Sequence, residues 1–148
     1  KDFDLPDWKE IASSAVDEAP ELIKLNSKED YKAYFNERIA GILTDPQNFP
    51  VEINKEFFDK LANSRNATER LERLDWIKPV IQNPDEIWIQ RDLSTGLHYY
   101  IYVKAFSKEK HGGFTVVEIE QGQIRTFFEP NRDSYFNKNR KGLPIKIK

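Results

Sequence analysis

Leu97-His98-Tyr99-Tyr100-Ile101-Tyr102-Val103-Lys104-Ala105-Phe106 is the stretch that decides the fold. It is rich in aromatic and β-branched residues and free of Gly and Pro, which reads as one long strand. Side chains alternate across a sheet, so Leu97, Tyr99, Ile101, Val103 and Ala105 share one face. His98, Tyr100, Tyr102 and Lys104 share the other. The first set is apolar and is expected to receive the helices. The second set places a proton-transfer candidate, two phenols and a cation on a face expected to stay open, as one side of an antiparallel sheet often does.

Working outward, short turns flank this strand on both sides. Ile87-Trp88-Ile89 precedes it across Leu93-Ser94-Thr95-Gly96, and Phe114–Glu120 follows it across a charged, Gly-containing connection at 108–113. Gln121-Gly122 then turns the chain into Gln123–Glu129. Short connections make successive strands antiparallel neighbours. The expectation is a four-stranded antiparallel meander from about Glu86 to Glu129, followed by a polar tail from Pro130 onward whose end, Gly142–Lys148, is strand-like and basic.

Upstream, the apolar period changes to 3.6. Asp4-Leu5-Pro6 predicts a helix over about 6–17, and Ala19–Leu25 a short segment or linker. Asn26-Ser27 caps a helix carrying Tyr31, Tyr34, Phe35, Ile39 and Ile42, which the two prolines of Thr44–Pro50 end in an extended loop. Asn54 caps a helix with Phe57, Phe58 and Leu61 inward, and Asn66 begins another through Leu71, Leu74, Trp76, Ile77 and Val80 to Ile81. Asn83-Pro84-Asp85 closes the helical half. The predicted fold class is α+β, with N-terminal helices packed on one face of the meander. The predicted organisation is a helical extension over 1–50 and a domain over 51–148, forming one compact unit.

Bulk properties narrow the function. The 148 residues include ten Phe, six Tyr and three Trp, enough apolar area to exclude a disordered chain despite 32% charged residues. No apolar run approaches the roughly 20 residues of a membrane span. There is no Cys, and His98 and His111 are the two histidines, which excludes thiolate chemistry and leaves too few histidines for a multi-histidine metal centre. No Gly-rich phosphate loop or nucleotide fingerprint occurs, so no ATP or NAD domain and no cofactor are implied. The absence of Met predicts a processed product or a piece of a longer polypeptide, here a C-terminal domain. The net charge of −2 hides an asymmetry. Residues 1–30 carry about five more acids than bases and residues 98–148 about five more bases than acids. That split suits a basic ligand-binding half, and equally a solvated surface of mixed sign.

Aromatic rings interleaved with cations suit single-stranded nucleic acid, rings for bases and cations for phosphates. Tyr100 and Tyr102 on the strand, with Tyr135, Lys138 and Arg140 in the basic tail, form the predicted RNA-binding set. Ribonuclease chemistry without a metal needs a base for the 2′-hydroxyl, an acid for the leaving oxygen and a cation for the phosphate. His98, Glu118, Lys104 and Arg125 supply those types, and cross-strand ion pairing is the plainer use of the same residues. By strict alternation Arg125 and Thr126 point to opposite sides. A third pattern is Arg91, Ser94-Thr95-Gly96 and Glu118-Ile119-Glu120, which is similar to the arginine, serine and Glu-x-Glu set of ADP-ribosyltransferase toxins. In that family the arginine and the serine motif lie far apart in sequence, whereas here two residues separate Arg91 from Ser94.

The run Ile77-Lys78-Pro79-Val80-Ile81-Gln82-Asn83-Pro84-Asp85-Glu86-Ile87-Trp88, a helix entering the first strand through an Asn-Pro-Asp turn, resembles the barnase–EndoU–colicin–RelE-like nuclease superfamily. The likeness is to its phage-associated branch, found at the C-terminus of phage head-morphogenesis proteins and polymorphic toxins. The Val116–Ile119 and Ile124–Phe128 hairpin, Tyr135 and Lys141-Gly142 extend the likeness over about residues 50–148. The resemblance implies a metal-independent ribonuclease toxin domain acting on RNA, often tRNA. It also implies a cognate immunity protein, and a bacterial or phage origin with secretion or injection into a target-cell cytoplasm. By position it implies Lys60 on the helix, Lys104 on the second strand and Arg125-Thr126 on the fourth as catalytic, beside His98. Relatives often carry a histidine in the helix before the sheet, where this chain has Lys60, Arg65 and Arg70. A non-catalytic interaction module of a phage or secreted protein is the competing expectation, favoured by the acidic pI of about 5.8.

Overall fold

The structure, a computed structural model, describes residues 6–108, 112–128 and 133–147. Its helices are α1 (Trp8–Ser13), α2 (Lys28–Tyr34), α3 (Lys55–Ala62), α4 (Ala67–Glu72), α5 (Ile77–Gln82) and α6 (Asp133–Asn139). Its strands are β1 (Gly41–Thr44), β2 (Pro50–Ile53), β3 (Glu86–Arg91), β4 (His98–Ala105), β5 (Gly112–Glu118), β6 (Gln123–Phe128) and β7 (Leu143–Ile147). The class is α+β. Among the described residues the strands form one seven-stranded sheet in the order β1-β2-β6-β5-β4-β3-β7. The expected meander is its centre, since β3, β4, β5 and β6 pair antiparallel in succession. The sheet is nevertheless mixed, because β2 runs parallel to β6 through the pair Glu52↔Gln123.

The additions at both edges correct the four-stranded expectation. Residues 44–50 are the turn of a β1–β2 hairpin rather than a plain loop, with Thr44 opposite Pro50. Asp45 builds that turn by accepting from the backbone N–H groups of Gln47 and Phe49. Strands of four residues are too short for a period-2 signal, and a proline at a strand end argues locally against the ladder it joins. Ile42, expected on a helix, therefore lies in β1. The preceding helix ends in a π-turn over Phe35–Ile39, capped by the Ala40 N–H on the Phe35 carbonyl. The helix expected over 66–81 divides into α4, a 3-10 turn at Leu74–Trp76, and α5. Pro79 sits in the first turn of α5, where a missing N–H costs no helical bond. Glu129 and the start of the tail lie outside the described residues, but the tail's later part folds as α6 and β7.

Helices cover both faces of the sheet, not one. The larger core gathers Phe35, Val51, Phe57, Phe58, Leu61, Leu74, Trp76, Val80 and Ile81 with Tyr102, Phe106, Val117, Ile124 and Phe127 of the sheet side. The opposite face carries a smaller cluster in which Trp8 of α1 and Phe136 of α6 pack on Trp88, Ile101, Val103, Ala105 and Phe114. Trp8 stacks on Phe136 with ring centres 4.3 Å apart and planes within 8°. The alternation read from β4 is present, but its polarity is reversed. Tyr100 and Tyr102 face the main helical core, while Tyr99, Ile101, Val103 and Ala105 face α1 and α6.

Tyr102 and Lys104, on the main-core face, find polar partners over long sequence distances. The Tyr102 hydroxyl donates to Asp45 Oδ2 at 2.6 Å. The Lys104 ammonium donates to Asp17 Oδ2 at 2.7 Å and to the Asn83 carbonyl at 2.8 Å. Burial of a polar group is tolerable when such partners replace water. Gly113 lets α5 approach β5, since a Cβ there would meet Val80 Cγ2 at 2.5 Å.

A buried ion pair ties α6 to the sheet. Arg140 Nε and Nη2 donate to Glu86 Oε1 and Oε2 at 2.7 and 2.8 Å, and Nη1 donates to the Pro6 carbonyl and to Asn137 Oδ1. Arg140 is thus enclosed between β3, α1 and α6 rather than displayed in a solvated basic tail.

Candidate active site

α1 and α6 cover only half of their face of the sheet. The other half, toward the β3–β4 and β5–β6 turns, is a cleft of about 340 Å³. Its floor is Tyr99, Ile101, Val116 and Thr126, its walls are Gln90, Arg91 and Asp92 on one side and Tyr135 and Asn139 on the other. Register explains the grouping. Trp88, Ile101, Val116 and Thr126 lie directly opposite one another across four strands, and Gln90, Tyr99 and Glu118 form the next row.

A β-bulge shapes the far side. The β5–β6 register passes from Val116↔Thr126 to Val117↔Ile124, so Arg125 is an extra, unpaired residue in the ladder. Ile124 and Phe127 both enter the main core. Of the two residues between them, Thr126 lines the cleft, while Arg125 lines the hollow on the α3 side and extends its guanidinium toward Glu118. The Arg125 guanidinium lies 3.6 Å from Glu118 Oε1. Glu118 is buried, with 1% of its side chain exposed against 43% for Arg125. Its Oε2 accepts the Gln121 backbone N–H at 2.7 Å, which fixes the carboxylate in place.

Tyr135 stands at the α6 wall, half-exposed and edge-on to Phe114 at 5.5 Å. Burial raises the pKa of its phenol, an effect that outweighs the opposing influence of the nearby Arg70 guanidinium. The phenol therefore keeps its proton at neutral pH.

The other residues singled out in the sequence are spread over the molecule. Lys104 and Tyr102 are buried beneath the main helical layer, and burial followed by the Asp45 hydrogen bond raises the pKa of the Tyr102 phenol. Tyr100 is half-buried against Phe49, edge-on at 5.1 Å. The face expected to be open is thus mostly filled. His98 remains exposed at its upper end, where Nδ1 meets Glu120 Oε1 at 2.8 Å. That hydrogen bond holds the Glu120 carboxyl below its usual range. Strand alternation turns His98 away from Tyr99 and the cleft. Lys60 reaches β6 from α3 and donates to the Arg125 carbonyl at 3.2 Å. Lys138 is exposed on α6, Arg140 is enclosed, and His111 lies outside the described residues. From the expected set the structure brings Thr126 and Tyr135 together in the cleft, and Lys60 and Arg125 together on the other side of β6.

Sequence reasoning gave Tyr99 to the core and passed over Asn139. The available signal was that Tyr99 and Glu118 are on one side of adjacent strands. What hid it is that α6, read as tail, forms the wall. Among the described residues no group of three His, Cys, Asp or Glu side chains stands close enough to hold a metal ion, and no helix is long and apolar enough to cross a membrane.

Residues 23–145 match the family model of the phage-Barnase-EndoU-ColicinE5/D-RelE like nuclease2. The chain belongs to this nuclease family. The superfamily resemblance carried by Ile77–Trp88 and the β5–β6 hairpin is thereby established, over a longer stretch than the sequence motifs span. No curated protein and no solved structure matches the chain. The nuclease-family match takes in every residue named in the cleft and begins after α1, so Trp8 and Asp17 are contributed from outside it.

Proposed function

We propose that the domain is a ribonuclease of toxin type, cleaving RNA without a metal by attack of the 2′-hydroxyl on the adjacent phosphate, in the cleft between α6 and β6. The observation that carries the reading is the β6 bulge. It sets a cation and a hydroxyl, Arg125 and Thr126, near the fixed, buried carboxylate of Glu118 at the margin of the cleft that Thr126 lines. In this reading Glu118 Oε1 takes the 2′-hydroxyl proton, the 2′ oxygen bonds to phosphorus, and the bond from phosphorus to the 5′ oxygen breaks. The Tyr135 phenol gives its proton to the departing oxygen, and a 2′,3′-cyclic phosphate remains. Arg125 moves from Glu118 to the phosphoryl oxygens as charge builds there. Glu118 is buried, but it is neutralised as it takes the proton, so Arg125 leaves behind a carboxylic acid and not a stranded charge. Thr126 donates a further hydrogen bond, and Tyr99 offers a ring for a base.

Family membership supports nuclease chemistry in general, and the likeness to toxin nucleases supports a cognate immunity protein that occludes the cleft. The test is cleavage of single-stranded RNA and tRNA by purified protein in excess chelator. Glu118→Gln and Arg125→Ala are each expected to lower kcat/KM by about 100-fold or more. Intact RNA at high protein concentration, with normal growth on expression, would replace this reading with a non-catalytic interaction module.

A further inference from the structure

On the other side of β6 lies a second concavity, of about 450 Å³, between that strand and α3. It exists because β2 pairs with β6 only at Glu52↔Gln123, so the outer edge of β6 beyond that point has no strand beside it among the described residues. Arg125 links the two hollows, lining this groove and reaching Glu118, the residue opposite Tyr99 of the cleft. Its guanidinium turns to Glu118 on the cleft face, while the groove is lined by Arg125 too and holds the Lys60 ammonium on the Arg125 carbonyl. One strand, roughly 5 Å across, separates the two.

We infer that this groove is a subsite for an unpaired nucleotide one position beyond the two that flank the scissile phosphate, the RNA strand crossing β6 at Arg125. The inference rests on the proposed ribonuclease function. Phe57 and Ile124 give the groove an apolar floor suited to a base, and both are anchored in the main core. Lys60, exposed at the rim, is placed to meet the phosphate that joins this nucleotide to the next. Glu52 and Glu56 repel a phosphate but accept hydrogen bonds, so the part of the nucleotide that enters is a base edge bearing N–H donors. The amide of Gln123 supplies a further polar contact. The ligand class is therefore single-stranded RNA longer than a dinucleotide. A stacked duplex holds its bases away from such a groove.

The experiment uses the full chain and 2′-O-methyl oligonucleotides, in which the attacking hydroxyl is blocked, so binding is read apart from cleavage. Fluorescence anisotropy compares a dinucleotide with a tetranucleotide. The tetranucleotide is expected to bind about tenfold more tightly, and Lys60→Ala is expected to abolish that difference. Arg125→Ala is expected to weaken both lengths. Equal affinity for the two lengths in a protein that still cleaves RNA would overturn the subsite alone. A Lys60→Ala variant that keeps the length preference would overturn it as well. If neither oligonucleotide binds and RNA stays intact, the ribonuclease reading falls with it.

Discussion

Arg140→Met is expected to destabilise the fold by about 3–5 kcal/mol, the cost of leaving one member of a buried ion pair alone. Glu86 is 2% exposed and receives three charged or polar hydrogen bonds, from Arg140 Nε at 2.7 Å, Arg140 Nη2 at 2.8 Å and Trp88 Nε1 at 2.8 Å. The substitution removes the first two and also the donors to the Pro6 carbonyl and Asn137 Oδ1. Methionine fills much of the space of the arginine stem, so the penalty is electrostatic more than a cavity effect. For a domain of this size about 2–4 °C of Tm accompanies each kcal/mol, giving a fall of roughly 6–20 °C. Urea and thermal unfolding followed by circular dichroism measure it. The double variant Glu86→Gln with Arg140→Met removes the stranded charge and keeps an acceptor for Trp88, so it is expected to recover much of the loss. A single variant within about 1 kcal/mol of the parent, or a double variant no better than the single, would refute the argument. The same protein tests the expectation that Arg140 binds RNA. A fully buried guanidinium neutralises no phosphate, so the salt dependence of RNA affinity is expected to stay the same in Arg140→Met.

Three further outcomes follow from the contacts described. The Tyr102 phenol titrates higher folded than unfolded, so its contribution is intact below about pH 10 and is lost as pH rises above it, where the unfolded chain ionises first. Unfolding free energies measured from pH 8 to 11 should therefore fall more steeply for the parent than for Tyr102→Phe. Lys104→Met is expected to change stability by no more than about 1 kcal/mol, because Asp17 is 43% exposed and rehydrates when its partner goes. Cleavage per folded molecule should be unchanged, and a tenfold loss with an unaltered melting curve would restore Lys104 to the catalytic set. Trp8→Ala should cost about 3–5 kcal/mol in urea unfolding, since the ring is fully buried and stacked on Phe136 although it precedes the family-matched residues.

Local pattern in the chain determined the α+β class, the central meander and the helices capped by Ser27 and Asn54, because period, caps and turn residues act within a few positions. It also determined that β4 has two chemically distinct faces. Only the tertiary structure decided which face is filled. That depends on Asp45 reaching the Tyr102 hydroxyl and Asp17 reaching Lys104 across dozens of residues, pairings that no window of sequence contains. The cleft has the same origin. Glu118, Arg125 and Thr126 are legible as residue types, but their convergence requires a bulge that shifts Arg125 out of the ladder, and a wall supplied by a helix whose sequence reads as polar tail. The β1–β2 hairpin was illegible for a similar reason, whereas the strand-like end of the chain was legible and only its place beside β3 was not. β1 exists because a neighbour offers hydrogen-bonding partners, and its own residues carry little of the information that makes it a strand.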